Sequence, residues 1–318
     1  MMIIFIEDYD AIYYICVKFK FIILLLFDYI FFLVIIIVTI KFKKKICICT
    51  LGKEENKYTR EFVQFYEKIG VDKIFLYDNN HEDGERFDEV IEDYINKGFV
   101  EIIDWRGKKL LQLSSMNDCY KKNNKNYDWL IFYDIDEYIN LKSYSNIKLF
   151  LNEGKFSECQ LIYLNLIPHT DNNHLYYENK SLFERFPERV PITKPEGKKL
   201  EVKFIIKGNI SKVKIFNQHY CNHKLKNCNG FGKKNTISYI HTKNPDYKYY
   251  YIDHFFSKST EEFIDKIKKG DCRYRHSQRK KKLGRYFNQS DVSKEKIDLI
   301  EKRLKIKVKK YVKLKNFF

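Results

Sequence analysis

Short apolar segments alternate with amphipathic segments over the first half of the chain. The apolar runs have the length of buried strands, and the segments between them repeat apolar residues at helical spacing. We predict strands at 46–51, 73–77, 99–105 and 129–133, and helices at 58–70, 87–97 and 110–122. Strands that alternate with helices are typical of a parallel sheet with crossover helices, so an α/β fold is expected.

The second half is less regular. Strands are predicted at 159–167 and 201–206, separated by a long polar stretch, 168–200, that we expect to form a loop facing an acceptor. A helix is predicted at 260–269, with Thr260 as its N-cap. The remaining residues are basic and helical in part.

Residues 21–40 form an apolar run, FIILLLFDYIFFLVIIIVTI, interrupted by the single acid Asp28. About 20 apolar residues span a bilayer as a helix, so we predict a signal anchor. A buried core helix, or an extension that precedes the true start codon, is the alternative. The lysine cluster at 41–45 would place the downstream part in the cytoplasm, whereas a secretory-pathway enzyme requires the opposite orientation. The orientation stays open.

We therefore divide the chain into an anchor region at 1–45, an α/β domain at 46–272 and a basic tail at 273–318. The net charge is +17, from 59 basic and 42 acidic residues over 318. A basic balance of this size favours nucleic acid or an anionic membrane as a partner. The basic residues, however, form no recognised nucleic-acid motif, and the Lys, Ile and Asn bias is typical of an AT-rich genome. We expect no nucleic-acid partner.

Eight cysteines do not fix the redox compartment. Cys47 and Cys49 alternate on the first predicted strand and are expected in the core. The set His219, Cys221, His223 and Cys228 matches no standard zinc spacing. A local disulfide between Cys221 and Cys228, or simple burial, fits better. Three N-glycosylation sequons, at Asn179, Asn209 and Asn288, matter only if this part of the chain is lumenal.

Acidic or polar residues follow each of the first four predicted strands, where parallel sheets bind ligands. After the fourth strand, Asp134 and Asp136 flank Ile135. On an extended chain the two carboxylates project to the same side, and a divalent cation would offset their repulsion. Oxygen ligands suit Mg²⁺ or Mn²⁺, which would neutralise the charge that grows on a diphosphate leaving group.

Four segments together resemble glycosyltransferase family 92, the DUF23-like group of GT-A glycosyltransferases. They are ICICTLGKEENKYTREFVQFYEKIGVDKIFLYDNN, GFVEIIDWRGKKLLQLSSMNDCY, YDWLIFYDIDEYI and YIDHFFSKSTEEFIDKIKKGD, within residues 46–272. The resemblance implies a GT-A fold, which is a Rossmann-like mixed, mainly parallel sheet flanked by helices. It also implies a Golgi or other secretory-pathway membrane location.

The resemblance assigns roles to individual residues. Asp134, Asp136 and His254 would hold Mn²⁺ or Mg²⁺, and Lys258 would lie near the phosphates of a UDP-sugar. The residues that would border the nucleotide sugar are Glu55, Asp78, Arg106, Gln112 and Asp118.

Enzymes of this kind transfer a sugar to a glycan acceptor with inversion, and the resemblance implies UDP-galactose as donor. An inverting displacement needs a carboxylate that takes the proton of the acceptor hydroxyl. The candidates in the second half are Asp171 and Glu184. The transition state is expected to resemble an oxocarbenium ion.

Two other classes of function stay open at the level of sequence. The basic runs at 273–285 and 302–315 are compatible with a membrane-tethered protein that binds anionic polymer or lipid without catalysis, with steep salt dependence. A metal-dependent nucleotidyltransferase would also use an acidic pair, but no nucleic-acid motif supports it.

Overall fold

The structure is a computed structural model, which describes residues 18–33, 44–108, 111–191, 200–221, 224–234, 237–238, 241–242, 249–270 and 279–310. The chain divides into two compact units, Met1–Lys44 and Lys45–Phe318. Within the first unit, residues 18–33 are helical (α1). Residues 34–40 of the predicted anchor lie outside the described part. No helix among the described residues combines the length and apolar character needed to cross a membrane. The anchor stays a prediction.

All seven elements predicted for the first half are present in the second unit. They are β1 (Ile46–Gly52), α2 (Asn56–Lys68), β2 (Lys73–Asp78), α3 (Asp88–Asn96), β3 (Val100–Asp104), α4 (Gln112–Asn123) and β4 (Trp129–Ile131). The last strand ends two residues earlier than predicted, so the chain leaves the sheet before the acidic segment begins.

The second half adds short strands and helices. The strands are β5 (Glu137–Asn140), β6 (Leu161–Pro168), β7 (Leu200–Lys207), β8 (Ile215–Asn217), β9 (Tyr220–Cys221), β10 (Asn227–Asn229), β11 (Ile237–Ser238), β12 (His241–Thr242) and β13 (Tyr251–His254). The helices are α5 (Ile147–Leu151), α6 (Leu182–Arg185), α7 (Thr260–Lys268), α8 (Arg279–Gln289) and α9 (Lys294–Leu304). Two single 3₁₀ turns, Gly154–Phe156 and Val308–Lys310, complete the set in the described residues.

One predicted helix cap was wrong by a residue. Ser259, not Thr260, caps α7: its hydroxyl accepts the N–H of Glu262, and the Glu262 carboxylate accepts the N–H of Ser259. This reciprocal capping box satisfies two N–H groups at the start of the helix, and a hydroxyl followed three residues later by Glu is its sequence signature. Thr260 instead bonds Tyr286 of α8 through its hydroxyl.

The main sheet has the strand order β3-β2-β1-β4-β7-β6-β13-β5. The strands from β3 to β4 are parallel, which confirms the α/β class and the parallel arrangement of the first half. Beyond β4 the sheet is mixed: β7 is antiparallel to both β4 and β6, β13 is parallel to β6, and β5 is antiparallel to β13. The carboxyl ends of β1, β4 and β13 and the amino end of β5 therefore meet at one edge.

Side-chain alternation along the strands builds two cores on opposite faces of the sheet. Leu76 packs in the core that α2 and α3 cover, whereas its neighbours Phe75 and Tyr77 pack in the core that α4 covers. A third apolar cluster joins α7, α8 and α9, with Phe263 stacked on Tyr286. Part of the basic segment after residue 272 is thus packed helix, although the predicted boundary itself stays a prediction.

Two disulfides link distant parts of the described chain. Cys49 of β1 pairs with Cys119 of α4, and Cys159 pairs with Cys228 of β10. The disulfide predicted between Cys221 and Cys228 was wrong, because Cys228 is bonded to Cys159. The burial expected for Cys47 and for Cys221 is confirmed. The pairing brings together cysteines that are far apart in sequence, which spacing alone does not reveal.

Candidate active site

Three ligand-type side chains meet at the common edge of the sheet. Asp136 lies between β4 and β5, Glu137 begins β5, and His254 ends β13. His254 Nε2 is 3.6 Å from Asp136 Oδ1 and 4.0 Å from Glu137 Oε1. One ligand atom from each residue lies within 4.8 Å of the others, and all three side chains are buried. This spacing allows one cation to bind all three.

The residues present fit a divalent cation. Glu137 Oε1 is buried and has no hydrogen-bond donor among the described residues. A buried polar atom without a partner is costly, and a cation would satisfy this oxygen. Two carboxylates and a neutral imidazole are ligands that Mn²⁺ accepts, and Mg²⁺ shares the preference for oxygen. Burial lowers the pKa of His254 well below its usual value, so the imidazole is neutral, the form that binds metal.

Asp136 and His254, both predicted as metal ligands, are brought together, but the third member of the group is Glu137. The predicted ligand Asp134 has both oxygens bonded within the protein. Gln112 Nε2 donates to its Oδ1 at 3.0 Å, and Lys203 Nζ donates to its Oδ2 at 2.8 Å. Sequence reasoning missed Glu137 and Lys203. The available signals were an acid directly after the DxD segment and a lysine inside the apolar strand LEVKFIIK.

Lysines surround the carboxylate of Asp136. Lys266 Nζ donates to Asp136 Oδ2 at 2.8 Å, and Lys258 Nζ lies 3.6 Å from the same oxygen. Burial by itself raises the pKa of Asp136, but the charges of Lys266 and Lys258 hold that pKa well below its usual value. Asp136 is therefore ionised. The predicted phosphate residue Lys258 lies beside the predicted metal ligand, and Lys266 is an addition that the sequence did not single out.

A pocket of about 240 Å³ opens beside this cluster, between the start of α2 and α7. Its wall includes Glu55, Lys258, Lys266 and Lys269. Lys269 bonds the carboxylate of Glu55 and the backbone carbonyl of Lys53. Five lysines and five carboxylates of the described chain line this space. The lysines next to the metal-type cluster, Lys258 and Lys266, make that side of the pocket suitable for an anionic group such as a diphosphate.

The remaining nucleotide-sugar candidates fall into two groups. Asp78, at the end of β2, is buried at the same edge, and burial raises the pKa of its carboxyl. Gln112 contacts Asp134, as described above. By contrast, Arg106 pairs with Asp104, whose pKa it lowers to about 2, and Asp118 accepts the hydroxyl of Tyr77. These last two contacts lie within the protein, and a ligand role for Arg106 or Asp118 stays a prediction.

The two candidate bases have different surroundings. Asp171 is buried, and its carboxylate accepts hydrogen bonds from Lys296 of α9 at 2.9 Å and from the hydroxyl of Tyr286 at 2.7 Å. Glu184 is exposed, and it closes a capping box with Ser181 at the start of α6. The carboxylate of Asp171 is thus occupied by donors within the protein, whereas the carboxylate of Glu184 is accessible to solvent.

Comparison with known proteins gives the class of protein. The family model described as glycosyltransferase family 92 matches residues 44–306, and the chain belongs to that family. This confirms the family predicted from the four sequence segments.

Curated relatives agree with the family assignment. A family 92 protein of Ricinus communis is 31% identical over 105 residues, which are 33% of this chain and 18% of the relative. One of Oryza sativa subsp. japonica is 30% identical over 95 residues, 30% of this chain and 16% of the relative. The matched region thus spans less than a fifth of the length of these relatives.

Among solved structures, the S. aureus TarS 1-349 complex with UDP-GlcNAc superimposes with a TM-score of 0.37 at 14% identity. The superposition covers 82% of this chain and 71% of TarS 1-349. The corresponding complex with UDP gives a TM-score of 0.36 at 14% identity, over 82% and 70% of the two chains.

Proposed function

We propose that this chain is a metal-dependent GT-A glycosyltransferase that moves a sugar from a UDP-sugar to a glycan acceptor with inversion. The observation that carries the proposal is the cluster of Asp136, Glu137 and His254 beside a pocket whose wall includes Lys258 and Lys266. Family membership supports the reaction class.

Asp136, Glu137 and His254 are the groups that would hold the cation. Mn²⁺ or Mg²⁺, when bound, supplies positive charge to the diphosphate as its bond to the sugar breaks. The protein supplies more positive charge at the same place through Lys258 and Lys266, which flank Asp136. Both ammonium groups sit in a desolvated site, where their interaction with a phosphate is stronger than in water.

The nucleoside would extend along the sheet edge from the cation cluster towards β1 and β2. Glu55 follows β1, and Asp78 ends β2. A buried carboxylate at such a strand end is placed to accept N–H or O–H groups of a base or ribose. Gln112 holds Asp134 at the start of α4, between the nucleoside side and the cation cluster.

The acceptor hydroxyl must lose its proton to a carboxylate on the far side of the donor sugar. Of the two candidates we choose Glu184 as the base, because its carboxylate is exposed, whereas that of Asp171 is already bonded by Lys296 and Tyr286. We propose galactose as the transferred sugar and a secretory-pathway membrane as the location. The two disulfides support an oxidising compartment.

The test is a transfer assay with the full-length chain, Mn²⁺ and a panel of UDP-galactose, UDP-glucose and UDP-GlcNAc against glycan acceptors. Calorimetry with UDP, with and without Mn²⁺, accompanies it. We expect metal-dependent UDP binding and transfer, both lost in His254→Gln and kept in His174→Gln, whose imidazole pairs with Glu178 on a partly exposed loop. A folded wild type that ignores millimolar UDP and Mn²⁺ would sink the proposal, and binding of an anionic polymer would then be assayed.

A further inference from the structure

Lys203 is a fully buried cation inside the sheet. It lies on β7, between β4 and β6, and its side chain is 1% exposed. Its Nζ is 2.8 Å from Asp134 Oδ2 and 3.1 Å from Glu137 Oε2. Burying an ammonium group is costly unless it is well paired, and here two carboxylates pair with it. Those carboxylates belong to the two ends of the acidic segment 134–137.

The contacts of Lys203 fix the direction of the Glu137 side chain. Glu137 Oε2 accepts Lys203 and also the backbone N–H of Asp134, at 3.1 Å. With Oε2 held from two sides, Oε1 turns to the opposite side, where it lies 4.0 Å from His254 Nε2. The oxygen without a hydrogen-bond donor is thus the one that faces the metal-type cluster.

The same lysine also donates a hydrogen bond to Asp134. One oxygen of Asp134 accepts Lys203 and the other accepts Gln112, so both have protein partners. Asp136 and Glu137, by contrast, each direct one oxygen towards His254. The difference between the acids therefore comes from β7 and α4 and is not visible in the DxD pattern.

We propose that Lys203 is a positioning residue of the cation site. It retains Asp134 as its own counter-ion and aims the free oxygen of Glu137 at His254, so that the cation binds Asp136, Glu137 and His254 and not Asp134. The inference rests on the proposed metal-dependent function. Lys203 would not touch the cation but would hold the ligand Glu137 in place. Loss of such a supporting residue typically weakens metal binding about 10–100-fold.

Two effects of Lys203 on metal binding have opposite signs, which makes the test sharp. As a positive charge, Lys203 repels a nearby cation, so its removal would tighten binding. As the group that orients Glu137, it favours binding, so its removal would weaken it. The proposal states that orientation prevails.

The first experiment measures binding of Mn²⁺ alone to the full-length chain by calorimetry or electron paramagnetic resonance. Lys203→Met is expected to weaken Mn²⁺ binding about tenfold, and Lys203→Arg, which keeps the charge, is expected to restore most of it. The matched control is Lys207→Met on the same strand, whose ammonium contacts the carbonyl of Ser157 away from the cluster. A folded Lys203→Met variant with unchanged or tighter Mn²⁺ binding overturns the proposal.

A second pair of variants answers the question even if Lys203→Met does not fold. Asp134 is the more exposed of the two acids that pair with Lys203, and Asp134→Asn leaves Glu137 as the counter-ion of Lys203. In folded protein this substitution is expected to change Mn²⁺ affinity by less than about threefold. Glu137→Gln is expected to weaken it more than about tenfold. If Asp134→Asn weakens Mn²⁺ binding as much as Glu137→Gln does, Asp134 and Glu137 do not have the different roles that the proposal gives them.

The outcomes also separate this inference from the proposed function. If the wild type binds Mn²⁺ with the expected pattern of variants but transfers no sugar, the transferase proposal fails and the role of Lys203 stands. If the wild type transfers sugar in excess EDTA and binds no Mn²⁺, the role of Lys203 fails and the transferase proposal keeps its reaction class without the metal.

Discussion

His254, the last residue of β13, lies directly opposite Glu137, the first residue of β5, in an antiparallel pair. Residues opposite each other in such a pair have Cβ atoms about 4.5–5.5 Å apart and side chains on the same face. The distance between the imidazole and the carboxylate is therefore set by sheet hydrogen bonds. A cation site built this way is held by rigid elements, which is the arrangement that catalysis by positioned charge requires.

Replacing Lys266 is expected to weaken UDP binding. Its ammonium group lies in the pocket next to Asp136, and a hydrogen bond to a charged group contributes about 1.5–3 kcal/mol, or roughly 10–100-fold in affinity. We expect Lys266→Met to bind UDP more weakly by this factor, as measured by calorimetry in the presence of Mn²⁺. Lys302→Met, on an exposed position of α9, is the control. Equal affinities for the two variants would remove Lys266 from the diphosphate pocket.

Substitutions of the two candidate bases, Asp171 and Glu184, should affect different properties, namely the free energy of unfolding and the transfer rate. Asp171→Asn leaves the buried Lys296 without its counter-ion, and breaking such a pair costs about 3–5 kcal/mol. We expect a lower free energy of unfolding by urea denaturation. Glu184→Gln retains a capping box, so stability should hold while the transfer rate falls by about 100-fold or more. A Glu184→Gln variant with the wild-type rate would exclude Glu184 as the base.

Stability should fall on acidification through His219. Burial, followed by the charge of Lys203, lowers the pKa of His219 to about 4, whereas an unfolded histidine titrates near 6.5. The unfolded state therefore binds the proton first, and stability that is present above pH 6.5 is lost as the pH falls towards 4. The loss reaches up to about 3 kcal/mol.

Urea denaturation at several pH values between about 7.5 and 4.5 measures this slope. In His219→Gln the slope in that window should be shallower, because the side chain that takes up the proton is gone. An identical slope in the variant would assign the acid sensitivity to other groups.

Each disulfide is expected to stabilise the fold by limiting the unfolded chain. The linked cysteines are 70 and 69 residues apart, and closing loops of this size contributes about 2–4 kcal/mol. Cys159→Ala should lower the free energy of unfolding by this amount under oxidising conditions and by much less in dithiothreitol. Cys221→Ala, at a buried cysteine that belongs to neither of these two disulfides, should show no such dependence on reductant. Free Cys159 and Cys228 thiols in mass spectrometry of the oxidised protein would contradict the pairing.

Local pattern was enough for the first half of the fold. The strands and helices from Ile46 to Ile131 follow from apolar runs and helical spacing, since each element and its crossover are contiguous in sequence. The parallel direction of β1, β2, β3 and β4 follows from the same alternation, but their order in the sheet does not. The arrangement of the mixed second half could not be predicted, because β7 and β13 are inserted between strands that precede them in the chain.

Part of the candidate site could also be predicted from the sequence. Asp136 stands out because it follows an apolar strand, and His254 through the family resemblance. Glu137 and Lys203 required the register of β5 with β13 and of β4 with β7, which no local spacing encodes. The cysteine pairs and the contact between Asp171 and Lys296 depend on tertiary packing in the same way.

β13 comes late in the sequence, and this determines when the cation cluster can be complete during synthesis of the chain. The two carboxylates of the cation cluster, Asp136 and Glu137, are synthesised early. Among the described strands, however, β5 pairs only with β13, which is translated later. A ribosome-bound chain that stops short of residue 254 would therefore have its nucleotide-side strands and lack its histidine ligand. In such a chain the three-residue cluster is incomplete, because it depends on the pairing of β13 with β5.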